Sequence, residues 1–498
     1  MAASEKQPDP AVHTSPDSSV GDVEEQLTTV GPANKLQGWA NRLDTLMGVE
    51  ARGIERVPES ARQRKVTVND YFQMFIIWFA INCTANNMTV GILGPVSYGL
   101  GFKDAIVCCL FGTTFGACCT AYISTFGPVS GLRTLIIAKY TMGWWPSKIC
   151  VLLNLVIELG YGVVDVLVAG LILSAVNGSG LTVIVGIVVS AVLTWIVATF
   201  GITWFHMMER YIWIPTVLVL FIFVGVAGPK FDTAGSSSGT GAVLSGDRLS
   251  YFFLAASGPL GWSSAAADFY SYFPANTNKW LVFGLTASGI TLGKLLIEFL
   301  GIGPGSGLST NADWAEAFST SGAGALITEA FAPLGGFGKF CAVVLALCVC
   351  ANNVPGIYAA SLNWQMLGSW LAKVPRFIWS TVSVIIFTVA AIGGRGQLFS
   401  IFLNFLGLIG YWTIAWITIT AEEHLIFRRK SGYDWDLWNV KAALPNGYAA
   451  LVAFLVGWAG AILGMYQTYY TGVIAGLVGN GADVGLDLRV HWTMLTLP

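Results

Sequence analysis

Ile81-Asn82-Cys83-Thr84-Ala85-Asn86-Asn87-Met88-Thr89, followed by Gly91 and Gly94-Pro95, lies inside an apolar run over residues 72–97. A run of that length meets the roughly 20 residues a helix needs to cross a bilayer core of about 30 Å. Three asparagines and two threonines in its middle are costly in hydrocarbon unless they face protein or a water-filled cavity. A second interrupted run covers 249–272, with Ala256-Ser257-Gly258-Pro259-Leu260-Gly261-Trp262-Ser263-Ser264 at its centre. Gly258, Pro259 and Gly261 weaken a helix and Pro259 removes an amide donor, which predicts an unwound segment there. The other apolar runs are 104–123, 148–176, 181–203, 211–228, 281–302, 338–362, 376–393, 398–421 and 447–467. The interrupted runs are thus the first and the sixth of eleven. Broken helices at matching positions of two five-helix halves predict an inverted-repeat transporter with its site at the breaks.

Composition agrees with a chain whose solvent is lipid. Of 498 residues only 11% are charged and 54% are hydrophobic, against about 25% charged in soluble domains. Mean hydropathy is +0.65. Lys and Arg (26) nearly balance Asp and Glu (28), so no net field points to nucleic acid. A secreted disulfide scaffold, a disordered regulator and an ordinary cytosolic enzyme are excluded. Residues 1–70 are polar and predicted to form a disordered cytosolic tail. A ten-helix core over 71–425, a cytosolic loop over 426–446, an eleventh helix over 447–467 and a short tail over 468–498 follow. Arg52, Arg56, Arg62, Arg64 and Lys65 precede the first span, and Arg133, Lys139 and Lys148 follow the second. Lys373, Arg376, Arg428, Arg429, Lys430 and Lys441 fall on the same side, whereas the loop 303–337 carries Asp313, Glu316 and Glu329 without Lys or Arg. This asymmetry predicts a cytosolic N-terminus.

Several spans carry groups that an inert anchor would avoid. The third has Glu158, Tyr161 and Asp165 on one helical face. Asp165, near mid-membrane, is either a substrate or proton group or a neutral acid in an interhelical hydrogen bond. The eighth has Asn352, Asn353 and Pro355, and amides offer donor and acceptor together to a planar ligand edge, though they also serve as packing glue. Lys294 and Glu298 in the seventh, spaced i,i+4, predict an internal ion pair. The nine cysteines lie in or beside spans and read as packing residues. All four histidines lie outside the spans, so a histidine metal site is not expected. No nucleophile motif or metal-ligand spacing suggests an enzyme.

Together these features resemble the nucleobase-cation-symport-1 family, in its fungal purine-cytosine permease branch. The resemblance is carried by Gly127-Pro128-Val129-Ser130-Gly131-Leu132-Arg133, Gly160-Tyr161-Gly162, Gly261-Trp262-Ser263 and Ala267-Asp268-Phe269-Tyr270. Ala351-Asn352-Asn353-Val354-Pro355 and the run from Ala421 to Arg429 complete it. It implies an all-α, LeuT-like fold of two inverted five-helix repeats with peripheral helices, alternating access, and proton-coupled uptake at the plasma membrane. It also implies a flat heterocycle stacked between Tyr161 and Trp262, with its edge bonded by Asn352 and Asn353, and Pro355 shaping the backbone. Asn86 and Asn87 join this substrate set. Glu158, Asp268, Lys294 and Glu298 are coupling or gating candidates. No cofactor is implied beyond the proton gradient, and the partners are a nucleobase-like small molecule and membrane lipid. Cys348, Cys350 and Ala351, in place of a Ser/Thr pair, favour protons over sodium.

The sequence departs from the family pattern in three places. Tyr161 and Asp165 stand where nucleobase carriers tend to have Trp and Asn or Gln, and Gly356 where relatives often have Asn. An ionised carboxylate only accepts, so Asp165 is expected to favour amino-bearing rings such as cytosine and adenine. A pyridoxine- or thiamine-type vitamin, a basic metabolite, and a non-transporting receptor role remain as alternatives. The tail after the eleventh span is too short and polar for the family's twelfth helix, which is expected to be absent.

Overall fold

The computed structural model describes residues 53–63, 65–200, 211–467, 470, 471 and 473. The expectations for the rest of the N-terminal tail, for Arg52, Arg64, His13, His206 and His491, and for the C-terminal tail with its absent helix lie outside the described residues. The described residues are helical but for a hairpin of two two-residue strands, Tyr466–Gln467 against Tyr470–Thr471. Its principal helices are α1 (Val68–Asn82), α2 (Asn86–Tyr98), α3 (Phe102–Ser124), α4 (Thr134–Thr141), α5 (Pro146–Val176), α6 (Val183–Phe200) and α7 (Trp213–Ala227). They continue with α8 (Gly241–Gly261), α9 (Lys279–Gly307), α10 (Ala312–Ala330), α11 (Gly336–Leu367), α12 (Arg376–Gly394), α13 (Leu398–Glu422) and α14 (Tyr448–Gly464).

Each of the eleven expected spans falls on a helix or, for the first, on the pair α1 and α2. Among the described residues seven helices are long and apolar enough to cross a membrane, or eight with that bent pair; α6 and α14 are shorter apolar helices. α8 carries Asp247 and Arg248 in its first half and is not among them.

The first break is where the asparagines predict it. α1 starts on a capping box, with Thr67 accepting from the Asp70 amide and Asp70 accepting from the Thr67 amide. It stops at Asn82, and α2 leaves at 55° to it. The side chains bond the backbone that the break exposes. Asn87 Nδ2 donates to the Asn82 carbonyl at 2.8 Å, and Asn86 Oδ1 accepts from the Asn87 amide at 2.9 Å. Polar residues here replace the helical bonds that lipid cannot supply.

The sixth span differs from expectation. α8 remains helical through Gly258 and Pro259, and it gives way only after Gly261 to 3-10 turns at Trp262–Ala265 and Asp268–Tyr270. The Trp262 amide bonds the Leu260 and Pro259 carbonyls, so the Gly258 carbonyl is released from the helix. Hydroxyls from neighbouring helices take up the slack: Tyr161 donates to the Gly258 carbonyl at 3.3 Å and Thr120 to that of Pro259 at 2.7 Å.

Two bodies result. α3 packs on both α8 and α9, and α1 and α2 lie chiefly on α9. α5, α6, α11 and α12 form the other, in which the third and eighth spans, α5 and α11, share the most extensive contact in the molecule. Residues such as Phe221, Ile385, Val389 and Leu455 point outward and supply an apolar belt.

The boundary of the N-terminal tail also needs correction. Residues 53–63 are packed rather than loose, because the Gly127–Arg133 loop receives them. The Val57 amide donates to the Gly131 carbonyl, and the buried Arg62 donates to the Pro128 carbonyl at 2.6 Å. The loop 303–337 likewise contains a helix, α10, which packs on α5.

Candidate functional site

Where the first-span break faces α5, α11 and the end of α8, the polar residues of four spans converge. Asp165 of α5 is buried between Asn86 and Asn352. Oδ1 accepts from Asn86 Nδ2 at 2.7 Å and Oδ2 from Asn352 Nδ2 at 3.2 Å. The Asp165–Asn86 bond joins the two bodies at mid-depth, as does the Tyr161 bond to Gly258.

Beside this junction Lys294 of α9 donates to Asn87 Oδ1 at 2.5 Å and lies 3.6 Å from Glu298 Oε1. The expected i,i+4 pair is therefore present, with Asn87 as a third member. Glu298 Oε2 accepts from Thr113 Oγ1 at 2.7 Å and from Cys109 Sγ at 3.1 Å. Gly258 allows the close approach of the ammonium, since a Cβ there would sit 2.8 Å from Lys294 Nζ.

A chamber of about 30 Å³ is bounded by Asn86, Asn87, Glu158, Tyr161, Asp165 and Trp262, with Lys294, Asn352, Asn353 and Gly356 completing its polar wall. Two buried amide atoms there have no hydrogen-bond partner, Asn352 Oδ1 and Asn353 Nδ2. Tyr161 and Trp262 both face the chamber. Each ring is held edge-on by another aromatic: Phe405 lies 5.2 Å from Tyr161 and Trp78 lies 6.3 Å from Trp262. Glu158 and Trp262 also border a second cavity of about 480 Å³, whose other walls include Arg133, Asp268, Phe269, Pro355 and Tyr358. That vestibule opens on the side of residues 53–63, where Arg133 donates to the Gly53 carbonyl.

Eleven of the twelve residues singled out from sequence thus line the chamber or vestibule, with Glu298 behind Lys294. Asp268 does not reach the chamber. It accepts from Arg133 at 3.2 Å and from the Thr134 amide at 2.6 Å, at the vestibule mouth. Pro355 faces the vestibule rather than the chamber. Sequence alone did not point to Thr113, Cys109, Phe405 or Trp78. They are ordinary span residues, and only their contacts distinguish them. Among the described residues no cluster of His, Cys, Asp and Glu could hold a metal ion.

A family model described as permease for cytosine/purines, uracil, thiamine, allantoin matches residues 56–484. The purine-cytosine permease fcyB of Emericella nidulans is 35% identical, over 97% of this chain and 94% of its own length. The vitamin B6 transporter TPN1 of Saccharomyces cerevisiae is 31% identical, over 92% of this chain and 88% of its own. Among solved structures, Mhp1, a nucleobase-cation-symport-1 family transporter with bromovinylhydantoin bound, superposes with a TM-score of 0.63 at 15% identity. That match covers 90% of this chain and 94% of Mhp1, and it establishes likeness of fold. The relatives are carriers rather than enzymes, and the chain belongs to the nucleobase-cation-symport-1 family of permeases.

Proposed function

We propose that this permease imports a small planar heterocycle, purine bases and cytosine foremost, by proton symport with alternating access. The observation that carries the reading is the chamber at the first-span break, where two aromatic faces meet amide atoms lacking partners. Aromatic faces stack flat rings, and free amide atoms bond their edges. The purine-cytosine permease of Emericella nidulans, similar over nearly the whole length, supports the substrate class. Intramembrane acids and the cysteines of α11 favour the proton as coupling ion, and the basic residues around Arg133 favour a cytosolic N-terminus in the plasma membrane. A vitamin substrate is the second reading, favoured by the similarity to the vitamin B6 transporter.

The test is uptake of labelled adenine and cytosine into cells lacking their own nucleobase permeases. Saturable accumulation should collapse with a protonophore and survive replacement of sodium. Binding without accumulation would make the protein a receptor, and competition by pyridoxine alone would select the vitamin reading.

A further inference from the structure

Asp165 is the carboxylate that the sequence brings forward, yet both of its oxygens are taken by amides of the protein. Glu158, two turns earlier on the same face, is in a different position. Its hydrogen bond is a long one, from Asn154 Nδ2 at 3.5 Å. None of the ion pairs among the described residues includes it. It borders both the chamber and the vestibule, on the route between them. Opposite it stands Gly356, where a Cβ would come 3.3 Å from Glu158 Oε2 and 3.6 Å from Asn353 Oδ1. A glycine at that point keeps the space in front of the carboxylate open.

The orientation of the neighbouring amides follows from Asp165. Both Asp165 oxygens accept here, so Asn352 turns its NH2 toward Asp165 and its carbonyl is left without a partner. Asn353 leaves an NH2. The unmet set is therefore the Glu158 carboxylate and the Asn352 carbonyl, both acceptors, with one donor from Asn353. A ring edge bearing an amino group, with two N–H donors, beside one acceptor nitrogen satisfies it. An oxo edge offers a single ring N–H and sets its carbonyl oxygen against an acceptor, which leaves buried groups without partners.

We propose that Glu158 is the specificity-determining residue, selecting planar heterocycles with a donor-rich edge. Asp165 is a positioning residue that fixes Asn86 and aims the Asn352 carbonyl. This rests on the permease reading above and refines its substrate class.

The full-length chain, tagged with a fluorescent protein, is expressed in cells without nucleobase permeases, and cytosine, adenine, uracil and hypoxanthine compete against labelled adenine. In the wild type the amino-bearing rings should compete about tenfold better than the oxo rings, the discrimination expected when a polar site is left unmatched. Glu158→Gln, which keeps shape and removes charge, should weaken amino-bearing rings by about tenfold and bring the two classes together. Asp165→Asn should lower the maximal rate for all rings and leave their order unchanged. An unchanged order in Glu158→Gln, or a changed order in Asp165→Asn alone, overturns the proposal while transport stands. If Glu158→Gln fails to reach the membrane, Gly356→Ala crowds the same oxygen and should show the same selective loss; an unchanged order there is equally fatal. If the wild type accumulates no ring, the permease reading fails. The ranking of the same four rings by thermal stabilisation of purified wild type and variants then decides the role of Glu158.

Discussion

Lys294 and Glu298 are almost without solvent access, at 3% and 0% of their surface. Such a pair is retained only while each charge keeps its partners, because removing one leaves the other buried and uncompensated. Lys294→Met is therefore expected to lower stability by about 3–5 kcal/mol, measured as the melting temperature of the purified protein. Lys294→Met with Glu298→Gln should recover part of that loss. The two chamber asparagines should separate in the same assay. Asn353 Nδ2 bonds nothing in the protein, so Asn353→Ala should melt near the wild type while uptake is lost. Asn352→Ala should lose uptake and also stability, because it strips Asp165 of a donor. Retained uptake in either variant would remove that residue from the site. At Trp262, Ala should impair uptake more than Phe, since the ring face is what the chamber presents.

At the scale of elements, the first break was legible because polar side chains are costly in hydrocarbon without partners, and the structure puts Asn86 and Asn87 on the backbone the break exposes. The sixth break was read about one turn too early. Gly258 and Pro259 weaken a helix in isolation, but hydroxyls on α5 and α3, far away in sequence, accommodate their carbonyls and carry α8 on to Gly261. The Thr113 and Cys109 partners of Glu298 and the rings that prop Tyr161 and Trp262 were not legible for the same reason: they depend on which helix lies opposite. Close helix contact gives a further test. A Cβ on Gly91 would overlap the Glu298 carbonyl, and one on Gly301 that of Met88, so α2 and α9 touch backbone to backbone. Neither can relax by a side-chain rotation. Gly301→Ala should reduce folded protein at the membrane several-fold, read by fluorescence-detected size exclusion, whereas Gly284→Ala, with open space around it, should not.

At the scale of the whole molecule, the two bodies meet at Asp165–Asn86 and Tyr161–Gly258 and part toward Arg133, leaving the vestibule. A cysteine at Ala359, on the vestibule wall, should react with a maleimide applied from the face bearing residues 53–63, and a transported ring should slow that reaction. A cysteine at the buried Leu220 should stay silent. How far this opening reaches was not legible in the sequence, because it depends on where the bodies separate. The chamber beyond it, at about 30 Å³, falls well short of the roughly 150 Å³ of an engineered cavity that takes a benzene ring. A heterocyclic ring can enter only if the two bodies move apart, so loading the site is an expansion as well as a binding event. Work is then done against the surroundings on each turnover, and uptake should slow under hydrostatic pressure in proportion to the room the ring demands.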